Sequence, residues 1–203
     1  MKLTGITTIS ILLLLFSPFV SKGHAAEREG EKTTPDHLWA FSLYGGIHAS
    51  DTLSDIISLD ADYADGNNIV VAGVAREVYR YSQKLSFEIE GQVGRHFGED
   101  VSHWEFMALG LGRWHAFPWD AVVNTSIAIG AGFSAYTEIS DVERYRNEEA
   151  QRLLGHLAFE LSFGVPRFPR WDLLMRLHHR SDMGGVIGAG SSEYVCIGLK
   201  YAF

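Results

Sequence analysis

The chain has 203 residues, and its 17 lysines and arginines against 25 aspartates and glutamates give a formal net charge of −8 at pH 7. An acidic chain without a long basic stretch lacks the electrostatic surface that nucleic acid requires, so nucleic acid is excluded as an expected partner. The single cysteine, Cys196, excludes an intramolecular disulfide framework, so the fold must be stabilised in another way.

The first 25 residues are typical of a secretory signal peptide. Lys2 precedes an apolar stretch over 9–20, and Gly23-His24-Ala25 supplies the small-x-small pattern that a signal peptidase requires. We therefore predict cleavage after Ala25 or one residue later. The alternative is an uncleaved membrane anchor, but this apolar stretch is shorter than the about 20 residues that span a bilayer as a helix.

Residues 26–203 are predicted to form one domain with a polar lead-in over 26–36, because no Pro/Gly/Ser-rich linker divides them. From His37 onward, apolar and polar residues alternate with a period of two, which indicates β-strands. The alternating segments cover 37–49, 67–81, 84–97, 102–117, 121–138, 150–165, 170–181 and 192–203. Their even number and their lengths predict an all-β fold, an eight-stranded antiparallel transmembrane β-barrel of the bacterial outer membrane.

The distribution of charge along these segments favours a membrane barrel over a soluble one. A soluble, lipocalin-like barrel is the alternative, but it would place its apolar side chains inside and its charged side chains outside. Here the predicted interior contains charged residues of both signs, namely Glu88, Glu90, Glu105, Arg113, Arg152, Glu160, Arg176 and Lys200. The segment 67–81 is irregular, because Glu77 falls on its predicted lipid face, and a bulge or register shift is predicted there.

The connections and the aromatic residues support the same topology. Short connections at 81–84, 117–120 and 166–170 alternate with longer ones around 50–66, 140–149 and 182–191. Outer-membrane barrels have short periplasmic turns and long external loops. The interfacial girdles expected of such a barrel are supplied by aromatic residues near the predicted strand ends, namely Trp39, Tyr79, Tyr81, Trp104, Trp114, Trp119, Trp171 and Tyr201.

Three polar residues interrupt the apolar faces of the last two segments. His179 and Ser181 continue the apolar odd positions of the segment 170–181, and Glu193 opens the apolar face of the terminal segment. A hydroxyl nucleophile, an imidazole base and an orienting carboxylate are the three groups that a serine esterase needs. The topology predicts that all three face the lipid of the outer leaflet, near the outer rim of one hairpin. The alternative is a polar rim where the barrel leaves the membrane.

The motif His179-Arg180-Ser181, followed by Glu193 on the terminal strand of an eight-stranded barrel, resembles the outer-membrane lipid A 3-O-deacylases of the PagL family. The resemblance implies an esterase that removes the 3-O-linked hydroxyacyl chain from lipid A in lipopolysaccharide. It implies Ser181 as nucleophile, His179 as general base and then acid, and Glu193 as the orienting carboxylate, with no cofactor and no metal. Outer-membrane lipids are the implied surroundings, and a homodimer is left open.

The residue after the serine departs from the family pattern. Family members carry asparagine there, whose amide can help to form the oxyanion hole, whereas this chain has Asp182. Because an ionised carboxylate would repel an oxyanion, that role is predicted to pass to backbone N–H groups, for instance those of Gly184 and Gly185. Alternatively, Asp182 is only a turn residue of the loop.

Other candidate sites have weaker sequence signals. The five aspartates between 51 and 65 do not match a calcium-binding loop and are interpreted as a solvated acidic loop. His178 is predicted to face the lumen and to pair with interior charge. No metal-ligand spacing occurs among the remaining candidates His96, His103, His115 and His156. The rival function is a non-enzymatic barrel for adhesion or envelope integrity, while a pore is disfavoured by the strand number.

Overall fold

The computed structural model describes residues 38–49, 56, 58, 66–98, 101–139, 144, 150–183, 186–187 and 189–203, all of which lie in one compact unit, Pro35–Phe203. It contains the strands β1 (Trp39–Ala49), β2 (Asn68–Arg80), β3 (Leu85–Phe97), β4 (Trp104–Trp114), β5 (Asn124–Tyr136), β6 (Leu153–Gly164), β7 (Trp171–Ser181) and β8 (Ser191–Ala202). The predicted signal peptide and polar lead-in lie outside the described residues.

The eight strands form a closed antiparallel barrel. Each strand pairs with the next one in the chain, and β1 pairs with β8, so that Ala40 lies opposite Ala202 and Ala49 opposite Glu193. Closure gives every strand two hydrogen-bonded neighbours and leaves no open sheet edge. The predicted fold is thereby confirmed. Within the described ranges, no α-helix has the length and hydropathy needed to cross a bilayer.

The outside of the barrel is apolar and exposed. Every strand contributes large apolar side chains to this surface, for example Phe41, Val74, Phe87, Phe106, Ile129, Phe159, Leu173 and Ile197. Tryptophans are exposed at strand ends, including Trp39, Trp104 and Trp171. A continuous apolar exterior flanked by aromatic rings is the surface that a membrane-spanning barrel presents to lipid, and it contradicts the lipocalin-like alternative.

The lumen is filled by a network of buried ion pairs. The Arg176 guanidinium binds Glu160 and lies 2.8 Å from a Glu90 oxygen. Arg113 approaches Glu88 to 2.6 Å and Glu160 to 2.7 Å, so one glutamate joins both arginines. The structure places seven of the predicted interior residues in the lumen, namely Glu88, Glu90, Glu105, Arg113, Glu160, Arg176 and Lys200. Opposite charges therefore compensate one another in the buried lumen.

Two predicted orientations were wrong. Arg152 is exposed and precedes the first residue of β6, so the alternation of the strand does not extend to it. Glu77 lies on the lumen side of β2, where it binds Arg80, rather than on the lipid face. The predicted irregularity is confirmed, because the pairing of β2 with β3 shifts between Glu77 and Tyr79.

Replacing Arg176 by methionine is expected to lower the free energy of unfolding by about 3–5 kcal/mol, because two buried carboxylates lose their shared cation. The matched control is Arg170→Met, which removes an exposed guanidinium 3.4 Å from the Tyr201 hydroxyl and should change stability by about 0.5 kcal/mol or less. Urea unfolding in detergent micelles, followed by tryptophan fluorescence, measures both. Equal effects of the two substitutions would contradict the role given to the lumen network.

Candidate functional site

The pairing of the last two strands brings two of the predicted site residues together. β7 and β8 are in a register that sets His179 directly opposite Glu193 and Ser181 directly opposite Ser191. The His179 Nδ1 atom lies 3.1 Å from Glu193 Oε1, within hydrogen-bond distance. When Nδ1 donates to the carboxylate, the neutral ring presents Nε2 as a proton acceptor, which is the form a general base requires.

A further serine supports the carboxylate. The Ser191 hydroxyl donates a hydrogen bond of 2.7 Å to the same Glu193 oxygen that binds His179. Sequence reasoning missed this contact, and the only sequence signal for it is that Ser191 lies two residues before Glu193 on one strand face. Two hydrogen bonds to one oxygen restrict the carboxylate to a single orientation, and they thereby orient the imidazole.

Ser181 lies on the same outward face as His179, two residues closer to the outer end of β7. Residues two apart on a strand have Cα atoms about 6.6 Å apart, so their side chains are neighbours. Among the described residues, no hydrogen bond joins the Ser181 hydroxyl to either ring nitrogen of His179. The hydrogen bond between the imidazole and the carboxylate is therefore formed, whereas the Ser181 hydroxyl lies near the imidazole without a hydrogen bond to it. In enzymes, hydrogen bonds of this kind are often long or poorly aligned until the substrate binds.

The environment of the site differs from the rest of this outward face. On β8, Ile197 is 58% exposed and Leu199 is 51% exposed, but Glu193 is only 3% exposed. Ala49, which pairs with Glu193 from β1, has no exposed surface. The three predicted residues share the outward face, yet the carboxylate is enclosed rather than open to lipid. Enclosure strengthens its hydrogen bonds, because the local dielectric constant is low.

The loop after Ser181 is organised around the backbone of Asp182. Its N–H donates to the Gly190 carbonyl at 3.1 Å, and its carbonyl accepts from the N–H groups of Val186 and Ile187 at 3.0 Å each. This arrangement agrees with the interpretation of Asp182 as a turn residue, and its own N–H is already engaged. The other two oxyanion candidates, Gly184 and Gly185, lie outside the described residues.

Between the two outward site residues, Arg180 anchors β7 inside the lumen. Its guanidinium lies 3.5 Å from the centre of the Tyr136 ring, and its Nε donates to Ser134 Oγ at 3.0 Å. It also donates to the carbonyls of Gln151 and Arg152. The fully buried Arg180 side chain therefore fixes, from the lumen side, the backbone that carries His179 and Ser181. The sequence pattern did not reveal this role of Arg180.

The solved structures that are similar to this chain at the level of the fold include two crystal structures of outer-membrane proteins. The crystal structure of the outer membrane enzyme PagL has 11% sequence identity, a TM-score of 0.55, and coverage of 81% of this chain and 99% of that one. The crystal structure of Neisserial surface protein A has 10% identity, a TM-score of 0.50, and coverage of 82% and 97%. No protein-family model and no curated protein matches the sequence. The architecture is that of the small barrels of the bacterial outer membrane.

Proposed function

We propose that this barrel is an outer-membrane esterase that removes the 3-O-linked hydroxyacyl chain from lipid A, with Ser181 as its nucleophile. The observation that carries the proposal is the hydrogen bond between His179 and Glu193, formed on the outward face beside a serine hydroxyl. The resemblance of the His179-Arg180-Ser181 motif and Glu193 to the PagL family supplies the substrate class. The fold likeness to the enzyme PagL is consistent with it.

The proposed reaction proceeds by acyl transfer. The Ser181 Oγ attacks the ester carbonyl, and His179 Nε2 accepts the hydroxyl proton as the carbon–oxygen bond forms. His179 then returns this proton to the departing sugar oxygen, which leaves the acyl chain on the serine. Water, activated by the same imidazole, hydrolyses this ester and releases a free hydroxy fatty acid. Glu193 holds the ring orientation and stabilises the imidazolium in both steps.

The surroundings of the site suit a substrate that approaches from the membrane. Below the site, Met175, Ile197 and Leu199 form an exposed apolar surface against which acyl chains can lie. The site lies at the barrel end where Ala49 pairs with Glu193, opposite the end where Trp39 lies beside Phe203. A lipid in the outer leaflet would thus meet the triad sideways, without entering the charged lumen.

The direct test uses the purified full chain in detergent micelles with lipid A that carries a 3-O-linked hydroxyacyl chain. Release of the free 3-hydroxy fatty acid, measured by mass spectrometry, is expected for the wild type and equally for Ser102→Ala. Ser102 is exposed at the same end of the barrel and accepts a hydrogen bond from Arg95, away from the triad. A folded barrel that releases no fatty acid would favour the rival function in adhesion or envelope integrity.

A further inference from the structure

A second group of reactive side chains lies inside the barrel, on the opposite face of the strand that carries the proposed triad. Glu105 on β4, His156 on β6 and His178 on β7 each offer a ligand atom, and these atoms lie within 4.8 Å of one another. All three residues have no exposed surface. Their positions in the sequence carry no ligand spacing, because three different strands bring them together across the lumen.

The two imidazoles lack the partners that buried polar groups normally have. Among the described residues, neither ring nitrogen of His156 or of His178 has a hydrogen-bond partner. His178 Nε2 lies 3.2 Å from Glu105 Oε2, close enough for an ion pair but without hydrogen-bond geometry. A buried polar atom without a hydrogen-bond partner costs about 1–3 kcal/mol of stability. The presence of several such nitrogens at one place in the lumen therefore requires an explanation.

A divalent transition-metal ion can bind one nitrogen of each imidazole and one Glu105 oxygen at the same time. Two imidazole nitrogens and one carboxylate oxygen are a known ligand set for zinc, with the fourth position left to water. The carboxylate also has the outer support expected of a metal ligand, because His96 Nε2 lies 2.8 Å from Glu105 Oε2 and Ser134 donates to Oε1. His96 is held in turn by the Tyr194 hydroxyl at 3.0 Å.

We infer that the lumen binds one divalent metal ion, with zinc as the occupant, through Glu105, His156 and His178. The neighbouring cation, Arg180, directs its Nη2 atom toward the carbonyls of Gln151 and Arg152. The ion cross-links β4, β6 and β7 at the height of the proposed triad. Its role is structural, and it is independent of the esterase activity.

The test compares refolding of the full, untagged chain from urea into detergent micelles with and without zinc. The wild type is expected to retain about one zinc ion per barrel after gel filtration, measured by plasma mass spectrometry, and to melt at a higher temperature than the metal-free barrel. X-ray absorption of the bound zinc is expected to show imidazole ligands at about 2.0–2.2 Å.

Two variants and one matched control separate the site from other histidines. His156→Phe and His178→Gln are expected to lose the retained zinc and the zinc-dependent rise in melting temperature. Without zinc, His156→Phe should melt no lower than the wild type, because it removes two buried nitrogens without partners. His115→Gln alters a histidine that contacts Ser86 at the other end of the barrel, and it should keep both properties.

The inference is overturned if the refolded wild type retains no zinc, or if His156→Phe retains as much zinc as the wild type. Bound zinc without imidazole scattering in the wild type would overturn it as well, and this readout does not depend on the folding of any variant. Because no step of the test involves lipid A, its failure is distinguishable from failure of the proposed esterase function.

Discussion

Replacing Ser181 by alanine is expected to lower the kcat for release of the 3-hydroxyacyl chain by about 10⁶-fold. The substitution removes the only atom in the proposed triad that forms a bond to the acyl carbon. Losses of kcat of this size are known when the nucleophile of a serine hydrolase triad is removed. The measurement is the rate of hydroxy fatty acid release from lipid A in micelles, at saturating substrate.

The control for this substitution is Ser102→Ala, which removes a hydroxyl at the same end of the barrel and should leave the rate unchanged. The Ser181 side chain is half-buried and its hydroxyl makes no hydrogen bond to the described residues, so the alanine variant should also unfold at the wild-type urea concentration. A Ser181→Ala barrel that is folded and releases fatty acid at the wild-type rate would exclude Ser181 as the nucleophile.

Replacing Glu193 by glutamine is expected to lower kcat by about 10⁴-fold, the effect seen when a triad carboxylate becomes an amide. The amide can donate a hydrogen bond to His179 Nδ1, and the ring then carries its proton on Nε2, where it cannot accept a proton from Ser181. The same fatty acid assay measures the effect, with long reaction times to resolve the residual rate.

The matched control for the carboxylate is Ser191→Ala, which keeps the charge of Glu193 but removes one of its hydrogen bonds, the 2.7 Å contact. We expect a much smaller loss of rate, because the His179–Glu193 hydrogen bond remains. If Glu193→Gln kept the wild-type kcat, Glu193 would be a structural residue of the polar rim, and the triad interpretation would be wrong.

The strands were predictable because their alternation reflects a simple partition between lipid and lumen. Every observed strand end lies within three residues of the predicted one, and the largest differences are at 117 against Trp114, 121 against Asn124 and 150 against Leu153. The orientation of Glu77 was not predictable from the pattern, because β2 is apolar on both faces. Ile69 and Val71 are buried in the lumen, while Val70 and Val74 face outward.

The proposed triad was partly predictable. The predicted strand order shows which residues lie on neighbouring strands at the same height in the barrel. The pairing of His179 with Glu193 follows from the register of β7 with β8, which are consecutive antiparallel strands. The enclosure of Glu193 was not predictable, because parity alone places it on the same outward face as the exposed Ile197.

The lumen cluster was hidden from the sequence for a different reason. His156 and His178 are 22 residues apart and Glu105 is more than 50 residues from His156, so their contact depends on how the barrel closes. The register of β6 with β7 sets His178 opposite Ala158. Ala158 and His156 are two residues apart on β6, so both face the lumen and His156 lies diagonally across from His178. Metal-ligand spacing in a sequence reports local turns and helices, and it does not report side chains that meet across a lumen.

We propose that the barrel hydrolyses the 3-O-linked ester of lipid A. The most direct test is mass spectrometry of lipid A from bacteria that make the 3-O-acylated form and express the wild-type chain in the outer membrane. We expect lipid A to be lighter by one hydroxyacyl chain in these cells, and to keep all its acyl chains in cells that express Ser181→Ala. An unchanged acyl pattern in cells that contain the folded wild-type barrel would contradict the proposal.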